Sequence, residues 1–176
     1  MNKLAVFNPI RLTAFFIGAL LVTASAFAAD PAVLQYESKK TGEFLGAIRG
    51  YDTVAYFSLA EGDAPVKGSD EFTYEWNGAT WKFASAENRD KFIANPEAYA
   101  PQFGGYCAFA VSHGFTKPIR PDAWTVVNDK LYLNLNKGVM KKWLKKRDER
   151  IAKAEANWPT ALEACGDKCY PEVYKR

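Results

Sequence analysis

The chain has one histidine, His113, and three cysteines, Cys107, Cys165 and Cys169, among 176 residues. A single imidazole excludes every multi-histidine metal centre, and the sequence has neither an H-E-x-x-H helix nor a paired C-x-x-C zinc pattern. Phosphate-cradling glycine loops are missing too, because Gly104-Gly105-Tyr106 does not continue into G-x-G-x-x-G. The spacing in CGDKC fits neither a thioredoxin-type C-x-x-C nor a haem attachment motif. A large charge imbalance is also lacking. The formal net charge of +3 calls for no nucleic acid and no acidic partner.

Charge is absent from residues 12–27, which follow Lys3 and Arg11 and run into the small-x-small triplet Ala26-Phe27-Ala28. That pattern is a signal peptide over residues 1–28, with cleavage expected before Ala29. The apolar run is short for a spanning helix, so no stable membrane insertion is expected after cleavage. The expected location is periplasmic or secreted, where disulfides persist. The remaining chain suits one domain, and loss of Lys3 and Arg11 brings it close to neutrality.

Residues 29–46 show little periodicity and read as an irregular lead-in. Residues 47–159 read as the domain, and 160–176 as a tail carrying Cys165 and Cys169. Asp52 is placed to cap a helical turn over 52–57. EFTYEW (71–76) and ATWKFA (79–84) flank Asn77-Gly78, the preferred pair for a tight hairpin turn. Phe72, Tyr74 and Trp76 share one face of this hairpin, as do Trp81 and Phe83. Ser85 then caps a helix that stops near Asn95-Pro96. AWTVV and KLYLNL flank Asn128-Asp129 as a second hairpin, and one long helix is expected over 137–157. Its stripe is Val139, Met140, Trp143, Ile151, Ala154 and Trp158, and its basic run reads as a solvated face countered by Asp148, Glu149 and Glu155. The expected fold class is α+β: a small antiparallel sheet built from two β-hairpins, with helices packed on one face.

The segment GGYCAFAVSHG (104–114) unites Cys107 with His113. A soft ion such as Cu(I) takes thiolate and imidazole donors. On a regular helix, however, six residues rotate about 240° and rise about 9 Å, so both side chains reach one ion only if the segment bends. A third donor is then needed, from Met140, Tyr51 or Asp52. Cys107 is open to three readings: a buried apolar thiol, a metal or ligand contact, or a disulfide partner. His113 is either a donor or a surface loop residue. Cys165 and Cys169 are expected to bridge locally across Gly166-Asp167, the alternative being a bridge from Cys107 to the tail. A Cys–His nucleophile lacks a third, orienting residue.

The strings IRGYDTVAYF, KGSDEFTYEWNGATWKFASAENRDKFIANPEAYAPQFGGYCA and DAWTVVNDKLYLN resemble the exported YHS domain-containing protein family over residues 48–158. The resemblance implies a small module with a metal, copper by suggestion, held by two cysteines in D-P-V-C-G and Y-F-C-S segments. Here Ala55 and Ala84 stand at those two positions, and neither side chain can donate. The resemblance therefore carries the fold and leaves the ligand open.

The function expected is an exported, non-enzymatic binding module for a metal ion, possible copper included, or for a small ligand. Cys107 and His113 would be the metal donors, and Tyr51, Asp52, Tyr56 and Tyr106 the ligand lining. The alternatives are a ligand-free structural or protein-interaction domain and, further off, a thiol-based redox enzyme.

Overall fold

A computed structural model describes residues 33–158, 160–163 and 173–175. The expected leader and both tail cysteines, with their expected bridge, lie outside the described residues. Two hairpins form at the two expected turns. The first joins β3 (Ser69–Trp76) to β4 (Ala79–Phe83) and the second joins β5 (Arg120–Val127) to β6 (Lys130–Asn134), after β1 (Gln35–Glu37) and β2 (Phe44–Ala47). Asn77 (φ 49°) and Gly78 (φ 69°) take the left-handed conformation that lets a two-residue turn match strand twist, as do Asn128 (φ 50°) and Asp129 (φ 56°). The helices are α1 (Ala86–Ala94), α2 (Pro96–Tyr99), α3 (Ala108–Val111), α4 (Lys137–Leu144), α5 (Arg147–Asn157) and α6 (Thr160–Glu163). Ser85 caps α1 by accepting the Asn88 N–H, and Asn136 caps α4 by accepting that of Val139. None of the helices among the described residues is long and apolar enough to cross a membrane.

The structure differs from the sequence reading in three places. The hairpins are separate two-stranded sheets, not one sheet. The flank of β4 is already occupied: the Thr80 N–H donates to Gln35 Oε1, and the backbone of Gly46 lies against the Thr80 carbonyl. A Cβ at residue 46 would collide with that oxygen, and Gly46 has φ +73°, so glycine is required there. Second, the described part of the lead-in, residues 33–46, contains two strands. β1 pairs antiparallel with β2 and parallel with β7 (Val173–Lys175). It also bonds to both halves of the protein, through Gln35 Nε2 to the Gly78 carbonyl, Leu34 N–H to the Gly104 carbonyl, and Tyr36 Oη accepting the Ile119 N–H. Third, the long helix breaks at Lys146 (φ −138°, ψ 44°). α4 packs Trp143 on Tyr132 with ring centroids 5.3 Å apart, whereas Asn157 of α5 reaches the Val111 carbonyl of α3. The break lets each helix meet its own partner, and Arg150 donates to the Lys142 and Trp143 carbonyls at the end of α4.

The two halves share one backbone plan. Ile48, Arg49 and Gly50 are consecutive left-handed residues (φ 49°, 59°, 72°), as are Phe103, Gly104 and Gly105 (φ 58°, 58°, 76°). Each triplet is followed by tyrosine, giving Gly50-Tyr51-Asp52 and Gly105-Tyr106-Cys107. The Tyr51 N–H returns to the Ile48 carbonyl and that of Tyr106 to the Phe103 carbonyl. The hairpins carry the same irregularity, from Ser69↔Phe83 to Thr73↔Lys82 in one and from Arg120↔Asn134 to Trp124↔Leu133 in the other. A side-chain-capped helix follows each. Asp52 and Cys107 therefore occupy equivalent positions.

Phe92 of α1 is 0% exposed and centres the first half, with ring centroids 5.0 Å from Trp81, 5.1 Å from Phe83 and 5.6 Å from Trp76. Phe92→Ala is expected to destabilise the protein by about 3–5 kcal/mol, measured as a shift of the urea midpoint with little change in the slope.

Candidate functional site

Asp52 is 0% exposed, and its carboxylate is fully used. Oδ1 accepts the N–H groups of Val54 (2.8 Å) and Ala55 (3.1 Å); Oδ2 accepts the Ala84 N–H (2.8 Å) and Asn88 Nδ2 (2.7 Å). One side chain thus caps the short 3-10 turn Ala55–Ser58, holds the end of β4 and ties in α1. Ala55 and Ala84 bind opposite oxygens of the same carboxylate, so the two segments singled out by the family resemblance do meet. They meet through backbone amides and a capping acid, with methyl groups where donors would be needed.

Cys107 fills the matching socket in the second half and is a free, buried thiol. Its Sγ accepts the Leu135 N–H at 3.2 Å, as Asp52 accepts that of Ala84, and lies 3.7 Å from Oδ1 of fully buried Asn134. Burial pushes the thiol pKa up, with the backbone N–H groups of Ala110, Leu135 and Phe109 opposing that shift. His113 is exposed, with Nδ1 2.8 Å from the Phe109 carbonyl and 3.1 Å from Ser112 Oγ. That carbonyl can only accept, so Nδ1 carries the proton. The His113 ring thus bonds to the Phe109 carbonyl and the Ser112 hydroxyl, while Cys107 bonds to the end of β6 and to N–H groups at the start of α3, so the two side chains share no partner atom.

The tyrosines divide. Tyr56 is buried, donates to the Pro121 carbonyl at 3.0 Å and packs edge-on against Trp124; burial raises its pKa. Tyr51 is half-buried, with Lys67 Nζ 4.8 Å above its ring. Tyr106 is buried behind Trp158, at 6.0 Å between ring centroids. None of these three, nor Asp52, Cys107 or His113, lines a pocket found elsewhere among the described residues. That pocket has a volume of about 460 Å³ and lies between the tip of the first hairpin, residues 100–104 and the end of α5. Trp76 and Trp158 wall it, half-buried, and buried Trp81 and Phe103 back them. Glu97, Glu155 and Lys130 stand at its exposed rim. Its size lies in the range of small-molecule sites. The sequence reading noted the aromatic hairpin face but had no means of setting Trp158 opposite it.

Compared with known protein families, residues 63–103 match the YHS domain. The match runs from the loop before the first hairpin to Phe103 and covers less than half of the chain. No curated protein and no solved structure matches the chain. The YHS stretch supplies Trp76, Trp81, Glu97 and Phe103 to the pocket, while Lys130, Glu155 and Trp158 come from beyond it. The residues present do not fit the thiolate-held metal that the YHS resemblance implies. Ala55 and Ala84 offer no donor, the Asp52 oxygens are taken up by N–H groups, and the described residues contain no group of three or more His, Cys, Asp or Glu able to hold an ion.

Two outcomes are expected from this geometry. Asp52→Asn puts an amide donor against N–H groups in either orientation and should cost about 3 kcal/mol in chemical denaturation. In a Cys165→Ser/Cys169→Ser background, native Cys107 should react with Ellman's reagent at pH 7.5 at least about tenfold more slowly than in denaturant, because the buried thiol stays protonated.

Proposed function

We propose that this chain is an exported, non-enzymatic binding module whose YHS frame supports a small-ligand pocket. The observation that carries this reading is the aromatic-walled cavity of about 460 Å³, built jointly by the YHS stretch and α5. Apolar walls with a few polar groups at the rim are the usual make-up of small-molecule sites. Export is supported by the leader over residues 1–28, and the mature protein is expected to begin at Ala29. Copper held by Cys107 and His113 has weaker support, because those side chains share no partner atom and only one of them is exposed.

The test is a titration of the mature protein, followed through its indole N–H resonances, with a panel containing a quaternary ammonium compound, a neutral alcohol, a monosaccharide and an aromatic acid. At least one member should shift the Trp76 and Trp158 signals saturably, and Trp158→Ala should weaken that binding at least about tenfold. If no member moves either indole, the small-ligand reading fails and a protein-interaction domain takes its place. Cu(I) added to the same sample should leave the Cys107 thiol count unchanged.

A further inference from the structure

We infer that the pocket selects a small organic cation carrying an alkylated ammonium group, an assignment that rests on the small-ligand reading above. The first ground is the walls. Trp76 closes β3 and Trp158 follows α5, and both indoles are half-buried at the pocket while Trp81 and Phe103 sit behind them. Indole faces carry negative electrostatic potential and attract a weakly hydrated cation most strongly where water is partly excluded. The walls are also held in place before any ligand arrives. Trp81 Nε1 donates to the Trp76 carbonyl at 3.1 Å, Trp76 stacks edge-on against buried Phe92 at 5.6 Å, and Trp158 packs on Phe103 and Tyr106 at 6.0 Å each. A fixed aromatic wall avoids the ordering cost that a mobile one would add on binding.

The second ground is charge. The pocket has two carboxylates and one ammonium. Lys130 lies 3.6 Å from Glu155, so those two largely cancel. Glu97 has no ion-pair partner among the described residues, which leaves one uncompensated carboxylate at the mouth of an aromatic cavity. An anion would meet that charge unfavourably. A neutral ring such as a sugar could stack on the indoles and use the amides of Asn77 and Gln102, but would gain nothing from the charge on Glu97. A cation uses both features together: its alkyl groups meet the indoles and its charge faces Glu97.

Choline and its neutral isostere 3,3-dimethylbutan-1-ol separate these cases by isothermal titration of the mature protein. Choline should bind at least about tenfold more tightly than the isostere. Glu97→Gln should narrow that difference, weakening choline more than the isostere. Glu97 is exposed, so this variant should keep the parental melting temperature, and Glu97→Asp should restore part of the selectivity. Equal binding of both probes would overturn the organic-cation assignment; selectivity that survives Glu97→Gln in full would overturn the part given to Glu97 and leave the indole walls as its source. If both probes bind equally and Trp158→Ala weakens both, the assignment is lost and the small-ligand pocket stands. If neither they nor the other panel compounds move the indoles, both readings are lost.

Discussion

The carboxylate of Asp52 is the constraint from which the first half of the protein is organised. It gathers four N–H donors from the turn after it, the end of β4 and the first turn of α1, and no polar atom of that side chain is left facing solvent. A buried charge is tolerable only when so completely bonded. Its price is functional: an acid already surrounded by backbone amides has little capacity left for a ligand. The second half solves the same problem with softer groups. Cys107 takes the place of Asp52 and accepts from Leu135, while Asn134 supplies the oxygen that accepts the Phe109 N–H.

This symmetry changes the meaning of the lone cysteine and histidine. Cys107 is best understood as the counterpart of a capping acid, and its apolar surroundings suit a neutral thiol. His113 lies past the end of α3, bonded to its carbonyls and stacked on Phe109 at 4.5 Å. Residues 63–103, which match the YHS domain, fold here with alanine at 84 and alanine at 55 beside them, so this architecture does not need the donors the family resemblance would assign to it. The larger feature of the molecule is elsewhere, where aromatic residues from separate parts of the chain surround open volume.

Much of the local structure was legible because its signals are short-range. Asn77-Gly78 and Asn128-Asp129 marked both hairpins, Ser85 and Asn95-Pro96 bounded α1, and Asp52 was read as a cap. What escaped the sequence reading depends on distant partners. β1 has no periodicity of its own and becomes a strand through β2 and the bonds made by Gln35. The break at Lys146 interrupts a continuous amphipathic stripe because Trp143 and Asn157 are drawn to different neighbours. The equivalence of Asp52 and Cys107 left one visible trace, the recurrence of Gly-Tyr before each. Chemically unlike side chains, an acid and a thiol, concealed it. The pocket left no local trace, since Trp76 and Trp158 stand far apart along the chain.

The bonds from β1 to both halves also order events in time. Each hairpin closes around a two-residue turn, a local step of about microseconds. Docking residues 34–36 against Gly104, Ile119 and the first hairpin is non-local and must wait until those partners exist. Residues 34–36 thus settle after the partners they dock on. Whatever polypeptide is joined ahead of Val33 is tethered to this late-docking strand, where it can slow completion of the fold without touching either hairpin.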